Sequence, residues 1–249
     1  MKLRVKATLI HLAGSALVAA LCGWLVLGVW YPPPMTTLMG GAVLFGLLVA
    51  VDVVLGPALT AVVASDKKPR AELMRDLAVI LALQLAALGY GLYTMALARP
   101  VVLAFEVDLF RLVAAVDIDK ADLSRAPEEL RELSWLGPRT LAAVKPSGEA
   151  EQLRTIELGL SGIPLAALPE YWRDYSAESA KAWAFAAPID KLLQAHPDQQ
   201  QAIESLAKAG SVDASSLRVL PLLARRAEGT VLLAPPDARI VGILLVTLP

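Results

Sequence analysis

The stretch VDVVLGPALTAVVASDKKP, Val51–Pro69, decides how this chain is read. Its apolar part, up to Ala64, carries a carboxylate at Asp52 and a Gly56-Pro57 pair one turn later. An ionised side chain deep in a bilayer costs roughly 2.5–3.5 kcal/mol on insertion scales, and a proline frees a backbone carbonyl that lipid cannot satisfy. A segment of this kind needs neighbouring helices that supply polar partners.

Working outward, two more apolar runs flank it. No Asp, Glu, Lys or Arg occurs between Lys6 and Asp52, and the run Ala7–Trp30 extends ~36 Å as a helix, enough for a tilted crossing of a ~30 Å hydrocarbon core. It is too long for the apolar part of a signal peptide and ends without a small-x-small cleavage site, so an uncleaved helix is expected. The three prolines of WYPPPMTTLMG end it, and further runs cover Gly41–Ala64 and Leu77–Ala98. The expected organisation is a transmembrane three-helix bundle over residues 1–98, with spans at 7–30, 41–64 and 77–98 and a loop at 65–76. An external domain follows over residues 99–249.

Charge sets the expected orientation. Lys2, Arg4 and Lys6 precede the first span, and Lys67, Lys68, Arg70 and Arg75 lie between the second and third, whereas the loop after the first span has none. By the positive-inside rule the N-terminus and the 65–76 loop face the cytoplasm, and everything after Arg99 lies across the membrane. Trp24, Trp30 and Tyr31 fit an interfacial aromatic position at the outer end of the first span. Small residues at Ala16, Ala20, Gly23, Gly89 and Gly91 would let the helices approach closely.

Depth counted at ~1.5 Å per residue puts Asp52 level with Gly89 and Tyr90, which makes Tyr90 its expected partner. Gln84 is placed to donate to the Val53 carbonyl that Pro57 releases, and His11 shares a level with Thr60. These polar groups act either as glue between helices or, with Asp52, as a contact for another membrane segment.

The external part has 16 basic and 20 acidic residues, a net charge of −4, and so no basic field for nucleic acid. Val101–Phe105 and Phe110–Val116 read as strands of a hairpin. Ala126–Leu133, Glu149–Leu160 and Ser176–Ala195 (interrupted at Pro188) read as helical, as does a segment capped by Asp198 and closed by Gly210. Leu217–Arg225, Thr230–Ala234 and Arg239–Val246 read as three more strands. The expected fold is α+β, an antiparallel sheet of about five strands with helices on one face, sketched as profilin- or PAS-like.

A search for chemistry returns little. The single cysteine, Cys22, rules out a disulfide within the chain, and with only His11 and His196 no histidine-based triad or two-histidine external metal site can form. Phosphate-loop, dinucleotide, nucleophile-elbow and zinc-protease motifs are absent. The acids Glu106, Asp108, Asp117, Asp119 and Asp122 read as solvated strand edges, and Trp135, Trp172 and Trp183 as core or interface residues. Neither enzymatic activity nor a cofactor or metal is expected.

The sequence resembles the type IV pilin accessory protein family (TfpX/TfpZ). The resemblance is carried by KATLIHL, VWYPPP, VDVVLGPALTAVV followed by DKKP, and RDLAVILALQLAALGYGLYTMALARPVVLAFEVDLFRLV, and returns in LSWLGPR and in the tail from Leu217. Matching positions are Trp30, Tyr31, Pro32, Asp52, Gly56, Pro57, Thr60, Lys68, Pro69, Asp76, Leu77, Gln84, Gly91, Tyr93, Arg99 and Pro100; Leu109 departs, standing where an Arg is expected. The resemblance implies a protein of a Gram-negative inner membrane with a periplasmic domain. It would assist assembly of a cognate pilin or prepilin, in contact with membrane lipids and other pilus-assembly proteins, without joining the fibre. It transfers no active site. On this reading Asp52, Gly56, Pro57, Gln84 and Tyr90 are candidates for contact with a pilin helix. Two other classes stay open: a membrane-anchored sensor whose external domain binds a ligand or protein, and a small transporter using Asp52.

Overall fold

The computed structural model describes residues 3–65 and 68–249. Among them are three helices long and apolar enough to cross a membrane, Arg4–Trp30, Gly41–Val63 and Arg70–Ala98. The first joins α1 (Leu3–Gly23) to a π-helical stretch, Trp24–Trp30. After a short α2 (Met35–Leu38), the second joins α3 (Gly41–Val49), a π-helical stretch Ala50–Leu55 and α4 (Gly56–Val63). The third is α5 (Arg70–Ala98), which starts seven residues before the expected Leu77. RAELMRD is rich in helix formers and follows Pro69, so the polar segment extends the helix instead of forming a loop. The outward faces are apolar: Ile10, Leu17, Val43, Leu47, Val62 and Leu83 are each more than 60% exposed.

Close approach uses some of the expected small residues. A Cβ at Gly91 would lie 2.3 Å from Leu48 Cδ1 and one at Gly23 3.2 Å from Phe45, whereas Gly89 faces nothing within 4 Å.

Beyond α5 the chain forms one mixed sheet. Its strands are β1 (Pro100–Glu106), β2 (Leu109–Ala114), β3 (Arg139–Ala143), β4 (Trp172–Asp174), β5 (Ala187–Pro188), β6 (Arg218–Leu223), β7 (Glu228–Ala234) and β8 (Arg239–Leu244). The order is β4-β3-β1-β2-β6-β7-β8, with β5 paired to β6. Seven strands on one path, plus the two-residue β5, replace the five expected, and two pairings, β1 with β3 and β2 with β6, are parallel. The missed strands have two to five residues, too few to show an alternation. The β1–β2 hairpin forms as expected. Its turn lacks glycine, so Val107 takes the left-handed conformation at φ +62°, uncommon for a β-branched residue.

The helices are α6 (Glu149–Leu160), α7 (Ser179–Phe185), α8 (Ile189–Ala195) and α9 (Gln200–Ala209). The helix expected at Ala126–Leu133 is not formed. Asp122–Arg125 and Glu128–Leu130 make separate 3-10 turns on either side of Pro127. Nor do helices cover one face alone. Val102, Ala104 and Leu141, under the 3-10 turns around Leu130 and Leu165, and Val219, Leu232 and Ala234, under α8 and α9, share one face of the sheet by register, whereas Ala182 and Ala186 at α7 pack on the other.

The opposite face of the sheet is closed by the three-helix unit itself. Leu103, Phe105, Phe110, Leu112, Leu222 and Val231 share one core cluster with Val26, Trp30, Tyr31, Leu38 and Met95. The α2 loop is stitched in by its backbone, Arg226 N donating to Leu38 O at 3.0 Å. The sheet thus sits directly on the ends of the spans with an apolar core running through the junction.

Candidate functional site

The second span carries the polar chemistry, and its backbone geometry explains how. In the π-helical Ala50–Leu55 each carbonyl bonds the amide five residues on, and the carbonyl of Asp52 would need residue 57, which is proline. Gln84 of the third span supplies the missing donor, its Nε2 lying 3.1 Å from Asp52 O. The sequence had pointed to Val53 O, the acceptor in an ordinary α-helix; the wider turn moves the orphan carbonyl back by one residue. Gly56 makes room, since a Cβ there would meet Gln84 Nε2 at 2.0 Å and Cδ at 2.5 Å. Asp52, Gly56, Pro57 and Gln84 therefore form one unit.

The side chain of Asp52 is left over. It is only 8% exposed, and Asp52 Oδ1 and Gln84 Oε1 are buried without a hydrogen-bond partner. Both bound a groove of about 230 Å³ between the first and third spans, walled by Gly14, Ser15, Val18, Leu85 and Leu88, with His11 at one end. His11 Nδ1 lies 2.6 Å from Thr60 Oγ1, joining the first and second spans at the shared level. Two unpaired acceptors in a largely apolar groove call for a hydrogen-bond donor, because an orphaned buried acceptor costs about 1–3 kcal/mol.

Tyr90 lies elsewhere. It is 74% exposed on the outer surface of α5, so the expected pairing with Asp52 does not form. Height along a helix does not fix direction: six residues after Gln84, at ~100° each, point Tyr90 well away from the inward face. Leu88, Gly91 and Met95, at spacings of three and four, continue that face.

At the other end of the loop, Lys68 Nζ pairs with Asp76 at 2.8 Å and with Glu72 at 3.7 Å. Arg70 and Arg75 are exposed, and Lys67 lies outside the described residues.

The junction with the sheet is a second cluster that the sequence misplaced. Trp24 is 71% exposed, but Trp30 and Tyr31 are buried, with Tyr31 Oη donating to Met95 O at 2.9 Å. Burial pushes the Tyr31 hydroxyl up to about 12. Arg99, 6% exposed, donates to Ala96 O at 2.6 Å and Ser134 O at 3.1 Å, and its guanidinium lies 3.7 Å over the Trp135 ring. Burial also draws the Arg99 guanidinium below its usual value. RPV at the exit of α5 was quoted in the resemblance, but the neighbour that makes Arg99 informative, Trp135, is 36 positions away.

In the sheet domain the acids have structural partners. Glu106 pairs with Arg111 at 3.0 Å and accepts from Ala166 N, while Asp117 accepts from Ala114 N and pairs with Arg225. Leu109 lies opposite Glu106 across the hairpin, and Arg111 carries the charge contact instead. Trp172 is core, its indole donating to Ala166 O. Among the described residues no three His, Cys, Asp or Glu are grouped to hold a metal.

The architecture defines a class: a three-helix, membrane-anchorable unit fused through a shared core to a mixed α+β domain, with a polar groove among its helices. The family model described as Fimbrial assembly protein FimB matches residues 1–40. The fimbrial assembly protein of serogroup I from Dichelobacter nodosus is 33% identical over 218 residues, covering 87% of this chain and 85% of the relative. That of serogroup E1 is 32% identical over the same shares, and that of serogroups C1 and C2 40% identical over 117 residues, 47% of this chain and 89% of the relative. The chain belongs to this fimbrial assembly protein family, a type IV pilin accessory family as the resemblance implied. No solved structure matches it.

Proposed function

We propose that the protein is a membrane-anchored accessory factor for assembly of a type IV fimbria, acting by non-covalent binding of the pilin subunit and not by catalysis. Family membership supports the pathway, and three apolar helices of spanning length support the anchor. In this reading the chain is inserted in the inner membrane with its N-terminus cytoplasmic and the sheet domain periplasmic, in line with Lys68, Arg70 and Arg75 gathered at one end of the spans.

The observation that carries the binding mode is the unpaired Asp52 carboxylate oxygen on the groove between the first and third spans. A pilin helix lying in that groove would bring a donor, a hydroxyl or an amine, to Asp52 and Gln84. Gly14, which has open space where its Cβ would stand, leaves room for close backbone approach. Hydrogen bonds between membrane helices average only ~0.6 kcal/mol in measured cycles, so such a complex is reversible, as a factor that must release its client requires.

Photocrosslinkers placed at Leu85 on the groove and at Tyr90 on the outer face test this in native membranes. Pilin is expected on the Leu85 adduct and not on the Tyr90 adduct, with Asp52→Leu abolishing capture and Asp52→Asn, which keeps an acceptor, retaining part of it. Equal crosslinking at both positions, or normal capture and piliation in Asp52→Leu, would sink the groove mechanism.

A further inference from the structure

A second feature lies at the junction, where the loop before β3 exposes Trp135 and Leu136 to 57% and 86%. Two large apolar side chains side by side at a loop tip are costly in water. Their level is fixed by their neighbours. Trp135 lies under Arg99 and 6.0 Å from the Trp30 ring, Ser134 O is held by Arg99, and Gly137 faces Pro32 and the Val29 carbonyl. Every one of those contacts belongs to the last turn of the first span, the last turn of the third, or the residues immediately after them.

The apolar parts of the first and third spans, Ala7–Trp30 and Leu77–Ala98, are ~36 and ~33 Å long, slightly more than the ~30 Å hydrocarbon core. Their ends at Trp30 and Ala98 therefore lie at the acyl–headgroup boundary, the zone that tryptophan favours. Of the aromatic residues expected there from sequence, Trp24 is exposed, but Trp30 and Tyr31 at the very end of the span are buried in the core, and Trp135 is the exposed tryptophan at their level. The tip has a preset shape: Leu136 N donates to Ser134 Oγ at 3.1 Å, and Gly137 takes φ +91°, open to glycine at little cost.

We propose that Trp135 and Leu136 are an interfacial anchor, inserted into the headgroup–acyl boundary of the leaflet from which the spans emerge, so that the sheet domain is seated on the bilayer. The proposal rests on the membrane-spanning reading above. It does not apply to the other exposed apolar stripe, Leu153, Ile156 and Leu160 of α6. β1 leaves the membrane at Pro100 and ends at Glu106, which pairs with Ala143 just before α6, so α6 lies at the distal end of the domain.

The test uses full-length protein in phospholipid vesicles, in a Cys22→Ala background, with one environment-sensitive fluorophore on Leu136→Cys, Leu17→Cys or Leu160→Cys. The expected result is quenching of Leu136→Cys and Leu17→Cys, but not Leu160→Cys, by brominated acyl chains. Iodide in the buffer should quench Leu160→Cys several-fold more than Leu136→Cys. If Leu17→Cys is lipid-quenched while Leu136→Cys behaves like Leu160→Cys, the anchor is refuted and the spans stand. Shielding of Leu136→Cys from both quenchers would overturn it in favour of a protein partner, and loss of lipid quenching at Leu17→Cys would remove the membrane reading and the anchor with it.

Discussion

Gly56→Ala is expected to destabilise the helical unit in the native background and to stabilise it once Gln84 is replaced by Ala. A Cβ at position 56 would lie 2.0, 2.5 and 2.8 Å from Nε2, Cδ and Oε1 of Gln84, so the whole amide must leave. The side chain is flexible and can swing out without moving the backbone, which limits the steric cost. What it cannot keep is the 3.1 Å bond to Asp52 O, whose own helical donor is missing because residue 57 is proline. Orphaning that carbonyl costs about 1–3 kcal/mol, while replacing glycine by alanine in a helix returns roughly 0.5–1 kcal/mol. The net is a loss of about 1 kcal/mol, and up to about 2.5 kcal/mol. In a Gln84→Ala background the bond is already gone and the space is empty, so Gly56→Ala retains only its gain, about 0.5–1 kcal/mol. The assay is a double-mutant cycle on reversible unfolding in detergent, followed by helical circular dichroism. Effects of the same sign and size in both backgrounds, within the ~0.5 kcal/mol scatter of independent sites, would refute the reasoning.

Other consequences concern the junction. Arg99→Lys should lower stability by about 1–3 kcal/mol, because an ammonium cannot hold the Ala96 and Ser134 carbonyls while stacking flat on Trp135. Thermal unfolding of the sheet domain reads this, and an unchanged midpoint would assign Arg99 no structural share. Tyr31 has its folded value raised to about 12 from an ordinary 10, so its contribution is complete below pH 10 and is lost as pH rises toward 12. Stability of the native chain should therefore fall in that window more steeply than that of Tyr31→Phe, and parallel pH profiles would disprove the linkage. Gly91→Ala should push the second and third spans apart at Leu48, with Leu48→Ala relieving it; unfolding midpoints of the two single variants and the double variant decide this.

The shared core has a functional corollary. Tyr31, Leu38 and Met95 pack with Phe105, Phe110 and Leu222 in one cluster, so a tilt of the spans on binding a guest helix would be felt at the sheet. A sheet tethered by a flexible linker would not respond in this way.

Much of this was legible in the sequence, and the reason is that it depends on local quantities. The number of apolar helices of spanning length follows from hydrophobic length, counted along the chain, and their C-terminal ends at Trp30, Val63 and Ala98 agree with the expected ends to within a residue. Asp52, Gly56, Pro57 and Gln84 announced themselves because charge, glycine, proline and amide are conspicuous against apolar surroundings, and depth along a helix is proportional to residue number. The hairpin at Glu106–Leu109 and the helix Glu149–Leu160 are likewise local patterns.

What tertiary structure alone decided is direction and long-range pairing. Whether Gln84 or Tyr90 faces Asp52 depends on the rotation of α5 against its neighbours. Which carbonyl lacks a donor depends on a π-helical turn that no composition signals. Trp30 and Tyr31 look like interfacial aromatics until the sheet folds down on them and leaves Trp135, 104 positions beyond Tyr31, exposed at their level. Strands of two to five residues, β3 to β5, are held by partners far away in sequence and have too little periodicity of their own to be read. Hydrophobicity and spacing fix how far along an element a residue lies; only packing against other elements fixes which way it points.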